Sequence, residues 1–150
     1  MSCSIARTLD IVGERWTLLI VRDAFSGVRR FDDFLVRLPI ARNVLTDRLN
    51  TLVEHGILRR KRYQEHPARY EYRLTSRGTD LYPVLVALMQ WGDSNLEPAG
   101  APSTRVVHGE CGADVGVSVT CRACGKAVSI KDSLGVSVAS SGDPRADGRE

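Results

Sequence analysis

Residues 31–74, FDDFLVRLPIARNVLTDRLNTLVEHGILRRKRYQEHPARYEYRL, decide the fold. Phe31 to Leu38 has apolar residues at helical spacing, and Pro39 ends that helix because the residue before proline avoids helical backbone angles. A second helix is predicted from about Ala41 to His55, with Gly56 as the residue that ends it. Two short helices joined by a tight turn are typical of a helix-turn-helix.

The second helix has an apolar face and a polar face. Its apolar residues repeat every three or four positions, so they turn inward, and the polar residues fall on the opposite side. The first turns of such a helix protrude, and the major groove of B-DNA, about 12 Å wide, admits one helix. Arg42, Asn43 and Thr46 are therefore predicted to reach base edges. Taken alone, the two helices are also compatible with a small core that has a solvated polar face.

An arginine-rich hairpin follows the second helix. Residues 59–62 are Arg, Arg, Lys and Arg, and residues 69–74 alternate polar with apolar side chains, as a strand does. Residues 28–73 hold 11 Lys and Arg against 6 Asp and Glu, a charge of +5 in a chain whose total is +3. Such a concentration favours phosphate binding, because DNA association releases counterions. The hairpin is the wing of a predicted winged helix-turn-helix, and the arginines assigned to phosphates, the DNA backbone or the minor groove are Arg37, Arg48, Arg60, Arg62 and Arg69.

Apolar helices are predicted on both sides of this unit. Ser4 to Val12 and a helix containing Trp16 precede it, and Thr75 caps a helix that runs to about Leu96. Pro83 is expected to bend that helix or to delay its start. One small winged domain does not easily cover the apolar faces of these helices, so they are predicted to pair with a second copy. A twofold dimer fits a palindromic site with half-sites about 34 to 36 Å apart. The alternative is a monomer in which both helices pack on their own domain.

Several short motifs occur in a characteristic order. They are Cys3, GERWT at 13–17, GVRRF at 27–31, IARNVL at 40–45, Arg48-Leu49, GIL at 56–58, YEYRLT at 70–75 and Trp91-Gly92. In this order they resemble the HxlR-type family of bacterial winged helix-turn-helix transcription regulators, over about Cys3 to Leu96. The resemblance implies a homodimer that binds operator DNA, with its reading helix at Ala41 to His55 and its wing at Leu58 to Leu74.

Cys3 stands just before the first predicted helix. The resemblance implies a possible role for it, since in some family members the cysteine at this position senses quinones, aldehydes or oxidants. The free amides and the dipole at a helix N-terminus favour a thiolate, and Arg7 lies one turn later. Ser4, however, stands where many relatives carry proline. Cys3 is thus a candidate redox sensor, and the alternative is a partly exposed thiol that senses nothing.

A cysteine cluster follows a linker predicted at 97–104, where proline and glycine replace core-forming residues. His108, Cys111, Cys121 and Cys124 are spaced His-x2-Cys, nine residues, Cys-x2-Cys, with glycine directly after Cys111 and Cys124. The spacing predicts a small zinc-ribbon-like β module at 105–136, in which four protein ligands hold a structural zinc ion. A Cys121–Cys124 redox pair without metal, and a three-ligand site without His108, remain open.

Composition bounds the class of protein. With 150 residues and 43% hydrophobic content, the chain is predicted to be mainly α, of the α+β type, with a winged domain at 1–96, the small module, and a disordered tail at 137–150. No stretch is long enough to cross a bilayer, the N-terminus shows no secretory signal, and the cysteines do not form a disulfide framework, so a reducing cytoplasm is expected.

The predicted function is that of a homodimeric, sequence-specific transcription regulator, repressor or activator. Its partners are double-stranded DNA and a second copy of the chain, and a response to a small molecule or to a redox or electrophile signal is left open. The alternative is a protein-interaction module that uses the winged helix as a scaffold and the zinc ribbon for docking. An enzyme is not expected, because the sequence has no His-Glu-x-x-His helix and no convergent carboxylates.

Overall fold

The computed structural model describes residues 3–96 and 105–135. The chain divides after Val115 into two compact units. The predicted linker at 97–104 and the predicted tail at 137–150 lie outside the described residues. The regular elements are α1 (Ser4–Val12), α2 (Arg15–Phe25), α3 (Phe31–Arg37), α4 (Arg42–Glu54), β1 (Leu58–Gln64), β2 (Arg69–Leu74), α5 (Ser76–Thr79), α6 (Tyr82–Asn95) and a 3₁₀ turn (Ile130–Asp132).

The ends of the helices follow the local sequence. Gly27 and Gly56, with φ of +89° and +67°, follow α2 and α4 in the left-handed region that favours glycine. α3 ends at Arg37, two residues before Pro39, and α4 begins within one residue of its predicted start. The predicted helix, turn and second helix are therefore confirmed.

Between Thr75 and Leu96 the chain forms two helices, α5 and α6, rather than one continuous helix, and α6 begins one residue before Pro83, where a bend or a late start was expected. Thr75 does cap α5, since its Oγ1 accepts a hydrogen bond from the N–H of Gly78 (3.1 Å). Gly78 lies directly against the carbonyl oxygen of Ile57, which fixes α5 on the base of the hairpin. Pro83 lies in the first turn of α6. N–H groups in the first turn have no hydrogen-bond acceptor within the helix, so proline is tolerated there.

The core of the winged part lies between α2, α4 and the base of the hairpin. Burying one large apolar side chain contributes about 1.5–3 kcal/mol, so a dozen such residues supply most of the force that holds α4 in place. The buried cluster consists of Val12, Ile20, Val21, Val28, Phe34, Leu38, Ile40, Leu45, Leu49, Leu52, Ile57 and Leu58.

The wing is an antiparallel hairpin of β1 and β2. Its register pairs Leu58 with Leu74 and Arg62 with Tyr70, and an irregularity follows Arg62 near the tip. The N–H of Tyr72 also donates to the carbonyl oxygen of residue 29 (2.7 Å), and residue 30 forms an isolated bridge with residue 71. Residues 29 and 30, just before α3, thus also pair with β2, which the sequence did not predict.

The helices at the two ends of the winged part leave apolar side chains uncovered. Ile5 and Leu9 on α1 are 71% and 55% exposed, and Leu88 and Trp91 on α6 are 51% and 60% exposed. These side chains are therefore available for contact with another molecule. Among the described residues, no helix has both the length and the apolar character that crossing a membrane requires.

Candidate nucleic-acid interface

The first turns of α4 carry the side chains predicted to read bases. Arg42, Asn43 and Thr46 are all exposed, whereas Leu45 and Leu49 on the other face are fully buried. The buried face fixes the rotation of the helix about its own axis. The first turn of α4 contains no acidic residue, so its free N–H groups are available to a phosphate.

Arg42 rests on two neighbours from α3. Its guanidinium lies 3.5 Å from the carboxylate of Asp32 and 5.1 Å from the centre of the Phe31 ring. Both charged side chains of the ion pair are mostly exposed, and such surface pairs contribute about 0–1 kcal/mol. DNA can therefore displace Asp32 from Arg42 at little cost.

Asn43 and Thr46 differ in their hydrogen bonding. Within residues 3–96, the side-chain amide of Asn43 makes no hydrogen bond, so its donor and acceptor are both available to a base edge. The hydroxyl of Thr46 donates to the carbonyl oxygen of Arg42 (2.9 Å), which leaves only its acceptor capacity for DNA. Asn43 is thus better placed for direct base readout than Thr46.

Arg37 and Arg48 are tied to the protein itself. Arg37 Nε lies 3.6 Å from Asp23 Oδ2, and Arg22 contacts the other carboxylate oxygen of Asp23 at 2.8 Å. Arg48 is 28% exposed, its Nη2 lies 3.9 Å from Glu14, and its Nε is buried without a hydrogen-bond partner. These contacts join α3 to α2 and α4 to the residue that precedes α2, so both arginines help to position the reading helix.

Asp23 is a buried partner of two arginines that the sequence reasoning missed. Its side chain is 1% exposed, on the apolar helix α2, and it faces two arginines. A buried carboxylate requires such partners, because removal from water is costly for a charge. A single acidic residue in the apolar run of residues 18–25 is a signal that could have identified it.

The outer strand of the wing is a row of exposed cations at residues 59–62. Arg62 donates to the hydroxyl oxygen of Tyr70 (3.0 Å) and to the carboxylate of Glu65 (3.1 Å), and these bonds raise the pKa of Arg62. Arg60 lies over the same Tyr70 ring, 5.4 Å from its centre. Arg69 is exposed next to the tip, opposite residue 64. Arg60 and Arg62 are thus ordered by contacts with Tyr70, and all the wing arginines are exposed.

Glu71 connects the wing to the helices. Its carboxylate accepts hydrogen bonds from Arg73, the shorter at 2.8 Å, and lies 3.8 Å from Arg30 at the start of α3. The hydrogen bond from Arg73 lowers the pKa of Glu71, with further contributions from Arg30 and Arg29. The Arg30 guanidinium in turn lies 4.6 Å from the centre of the Tyr63 ring. These contacts hold the hairpin at a fixed angle to α3.

The C-terminal cysteine pattern forms two tight turns of the same design, each complete within its own segment. In the first turn the N–H of Gly112 donates to the carbonyl oxygen of His108 (2.8 Å), with φ of +69° at the glycine. In the second, the N–H of Gly125 donates to the carbonyl oxygen of Cys121 (2.9 Å), with φ of +71°. In the first turn the N–H groups of residues 108 and 115 donate to the carbonyl oxygens of residues 113 and 106. In the second turn the N–H groups of residues 121 and 128 donate in the same way to the carbonyl oxygens of residues 126 and 119.

The offset between the two turns is 13 residues throughout, so they are an internal repeat that was not seen in the sequence. The β structure expected in this module appears as one isolated bridge in each turn, between residues 107 and 114 and between residues 120 and 127. The repeat places His108 at the position of Cys121, and Cys111 at the position of Cys124.

Each turn brings two possible metal ligands together. His108 Nδ1 lies 3.3 Å from Cys111 Sγ, and hydrogen bonds from the backbones of Cys124 and Ala123, and from the Cys124 side chain, lower the pKa of Cys121. Paired nitrogen and sulfur donors suit zinc. Over residues 3–96 and 105–135, no three His, Cys, Asp or Glu side chains are gathered as a metal site would require. The four cysteines are free thiols.

A reading helix with a fixed inner face and a cationic hairpin beside it define a winged helix-turn-helix protein. The model of the HxlR-like helix-turn-helix family matches residues 11–100, and the chain belongs to this family. An uncharacterized HTH-type transcriptional regulator of Mycobacterium tuberculosis is 44% identical over 129 residues, which are 86% of this chain and 82% of that protein. Another, from Synechocystis, is 41% identical over 96 residues, 63% of this chain and 71% of its own. The protein is a helix-turn-helix transcription regulator.

Solved structures agree with this assignment. The crystal structure of the protein PA1607 superposes on this chain with a TM-score of 0.81 and 38% sequence identity, and the match covers 90% of this chain and 94% of that one. The redox regulator HypR in its reduced form has a TM-score of 0.58 and 33% identity, over 62% of this chain and 93% of its own. The region matched by HypR is about as long as the winged part. The region matched by PA1607 is longer than residues 3–96, so it includes part of the C-terminal segment. The predicted family and winged-helix fold are confirmed.

Proposed function

We propose that the chain acts in the cytoplasm as a homodimer that recognises a palindromic operator through the first turns of α4 and the β1–β2 wing. The observation that supports this proposal is the exposed, unpaired amide of Asn43 beside Arg42, on a helix whose other face is buried. An Asn side chain pairs with adenine and an Arg side chain with guanine in the major groove. The wing arginines supply phosphate contacts without sequence preference.

The roles of these residues are tested by electrophoretic mobility shift with the promoter region next to the gene. Asn43→Ala is expected to lose preference at one position of each half-site, whereas Asn50→Ala, exposed on the same helix about two turns later, serves as the matched control. Arg62→Ala is expected to weaken binding to all sequences and to lower the salt slope by about one unit per protomer. A shift that does not depend on salt would contradict the proposal and favour a protein-interaction module.

The exposed apolar residues of α1 and α6 support the homodimer. A second copy offers the same faces, so a twofold interface buries both sets at once. Trp91→Glu is expected to convert the protein to a monomer in light scattering at micromolar concentration. Val36→Glu on α3, 86% exposed, is the matched control and should leave the dimer intact. A wild-type monomer, or equal effects of the two variants, would refute this interface.

We further propose that His108, Cys111, Cys121 and Cys124 hold one structural zinc ion. The repeat supports all four ligands, because each turn presents a pair of donors at the same two positions. Zinc bound by four protein ligands has no open coordination position, so it would stabilise the segment rather than catalyse a reaction.

Elemental analysis of the purified chain tests the zinc proposal. One zinc per chain is expected, with loss in both Cys121→Ser and His108→Ala and retention in the matched control His66→Ala. Zinc retained in His108→Ala would refute the fourth ligand. A metal-free wild type with a disulfide between Cys121 and Cys124 would replace the metal site with a redox pair.

Cys3 remains our candidate for a redox or electrophile sensor. It is exposed, it stands at the N-cap of α1, and its side chain makes no capping hydrogen bond there. HypR, to which the winged part is similar, is named a redox regulator. Diamide treatment is expected to change operator affinity in the wild type but not in Cys3→Ser. An equal response of Cys3→Ser would refute the assignment.

A further inference from the structure

A cavity of about 320 Å³ lies between α1 and the corner where α5 meets α6. Ile11, Ile57 and Leu81 give it an apolar lining, and Arg7 and Arg77 are the charged residues that line it. Pockets of about 300 Å³ and above are large enough for small organic ligands. The cavity is separate from the exposed face of α4 and from the wing.

The charged residues that line the cavity determine the charge of the ligand that it can bind. No acidic side chain lines it. Within residues 3–96 and 105–135, neither Arg7 nor Arg77 forms an ion pair, in contrast to Arg22, Arg37 and Arg48. Two arginines without acidic partners beside an apolar surface are suited to a carboxylate on an apolar body, because guanidinium groups bind carboxylates through charge-assisted hydrogen bonds.

We propose that this cavity binds a small organic acid, with one carboxylate held by Arg7 and Arg77 and an aromatic or branched apolar body against Ile11, Ile57 and Leu81. The proposal specifies the ligand class of the regulator proposed above, and its regulatory consequence rests on that proposed function.

Ile57 connects the cavity to both DNA-reading elements. It follows Gly56 at the end of α4 and precedes β1. Its N–H donates to the carbonyl oxygen of Leu52 in α4 (2.8 Å), and its own carbonyl oxygen accepts from the N–H of Thr75 after β2 (3.1 Å). A ligand that packs on Ile57 therefore acts where α4, the wing and α5 are joined, and it changes DNA affinity to the extent that it binds the two conformations unequally.

The experiment measures ligand binding to the full chain without DNA. Benzoate is the probe, and benzamide, which has a similar shape and no charge, is its control. We expect benzoate to bind with a Kd of about 1 mM or below in calorimetry and to raise Tm, while benzamide binds at least about tenfold more weakly. Equal binding of the two compounds, or no binding of either, would overturn the proposal.

Three variants locate the site. Arg7→Gln and Arg77→Gln are each expected to weaken benzoate binding by about tenfold or more, through the loss of a charge-assisted bond. Thr8→Trp keeps both arginines and fills the cavity, so it is expected to abolish binding. Arg122→Gln removes an exposed arginine elsewhere and should bind benzoate like the wild type. Binding that survives in the first three variants, or falls equally in the fourth, would overturn the site.

Operator affinity is measured separately, so the two proposals can fail independently. Benzoate is expected to change the operator Kd of the wild type and not that of Thr8→Trp. If benzoate binds at this site and the chain does not bind DNA, the proposed ligand site is supported and the proposed regulator function is refuted. If DNA binds and benzoate does not, the ligand site fails alone.

Discussion

Gly78→Ala and Gly92→Ala are expected to change stability in opposite directions. Alanine is favoured over glycine inside helices by about 1 kcal/mol, so both changes would stabilise an isolated helix. At Gly78, however, an added Cβ overlaps the carbonyl oxygen of Ile57 and lies 2.9 Å from Leu74 Cδ2. At Gly92 the nearest atom is Leu96 Cδ1 at 3.9 Å, which is ordinary contact.

The size of the effect at Gly78 follows from what must move. The carbonyl oxygen of Ile57 is held by the N–H of Thr75, and the Thr75 hydroxyl also donates to the carbonyl oxygen of Gly56 at 2.6 Å. Relieving the overlap shifts α5 from these groups, and overpacking of this kind costs about 1–3 kcal/mol. Because α5 has only four residues, it offers little of the propensity gain of a longer helix. We therefore expect Gly78→Ala to lose about 1–3 kcal/mol and Gly92→Ala to gain about 0.5–1 kcal/mol.

Urea unfolding followed by circular dichroism measures both variants against the wild type. A lower midpoint with an unchanged slope is expected for Gly78→Ala, and a higher midpoint for Gly92→Ala. A Gly78→Ala protein as stable as the wild type would refute the packing of α5 on Ile57. If both variants were destabilised equally, helix context rather than the Ile57 contact would be the cause.

Two further predictions concern carboxylates. Asp23→Ala is expected to destabilise the fold by about 1.5–3 kcal/mol, because it removes the charged partner of two arginines at a buried position. Asp33→Ala, on the exposed side of α3, is the control and should change stability by less than about 0.5 kcal/mol. Thermal unfolding compares the two variants, and equal effects would contradict the role of Asp23. The pKa of Glu71 is lowered from 4.5 in the folded state, so its contribution is fully present above pH 4.5 and is lost as the pH falls through the lower folded value. The Tm difference between wild type and Glu71→Gln should therefore shrink below pH 4.5, and a difference that grows there would contradict the Arg73–Glu71 bond.

Local signals in the sequence were sufficient for the reading unit. Pro39 and Gly56 act through their own backbone preferences, so the ends of α3 and α4 were predictable to within one or two residues. The break between α5 and α6 was predictable in part, because Pro83 indicated a bend or a late start, but the contact of Gly78 with Ile57, 21 positions earlier, was not. Helix periodicity carries no information about such a contact.

The candidate site was predictable by residue type and less so by partner. The sequence indicated the exposed residues of α4 and the cations of the wing, but not that Arg37 pairs with the buried Asp23 or that Glu71 joins Arg30 to Arg73. Those pairs connect separate elements, so chain spacing does not show them. The 13-residue repeat did leave a signal in the sequence, because Val106, Cys111, Gly112 and Val115 recur as Val119, Cys124, Gly125 and Val128. The other positions differ, and the matching backbone hydrogen bonds are what make the repeat clear.

The contact of Arg42 with Asp32 has a consequence for discrimination among DNA sequences. In the absence of DNA, a carboxylate already occupies the guanidinium, and the Phe31 ring limits its motion. Under the proposed binding mode, every DNA sequence displaces this carboxylate at the same small cost, at most about 1 kcal/mol. Asp32 would therefore lower the affinity for all sequences alike, and selectivity at this position would depend only on whether the base edge offers Arg42 a bidentate contact, as guanine does.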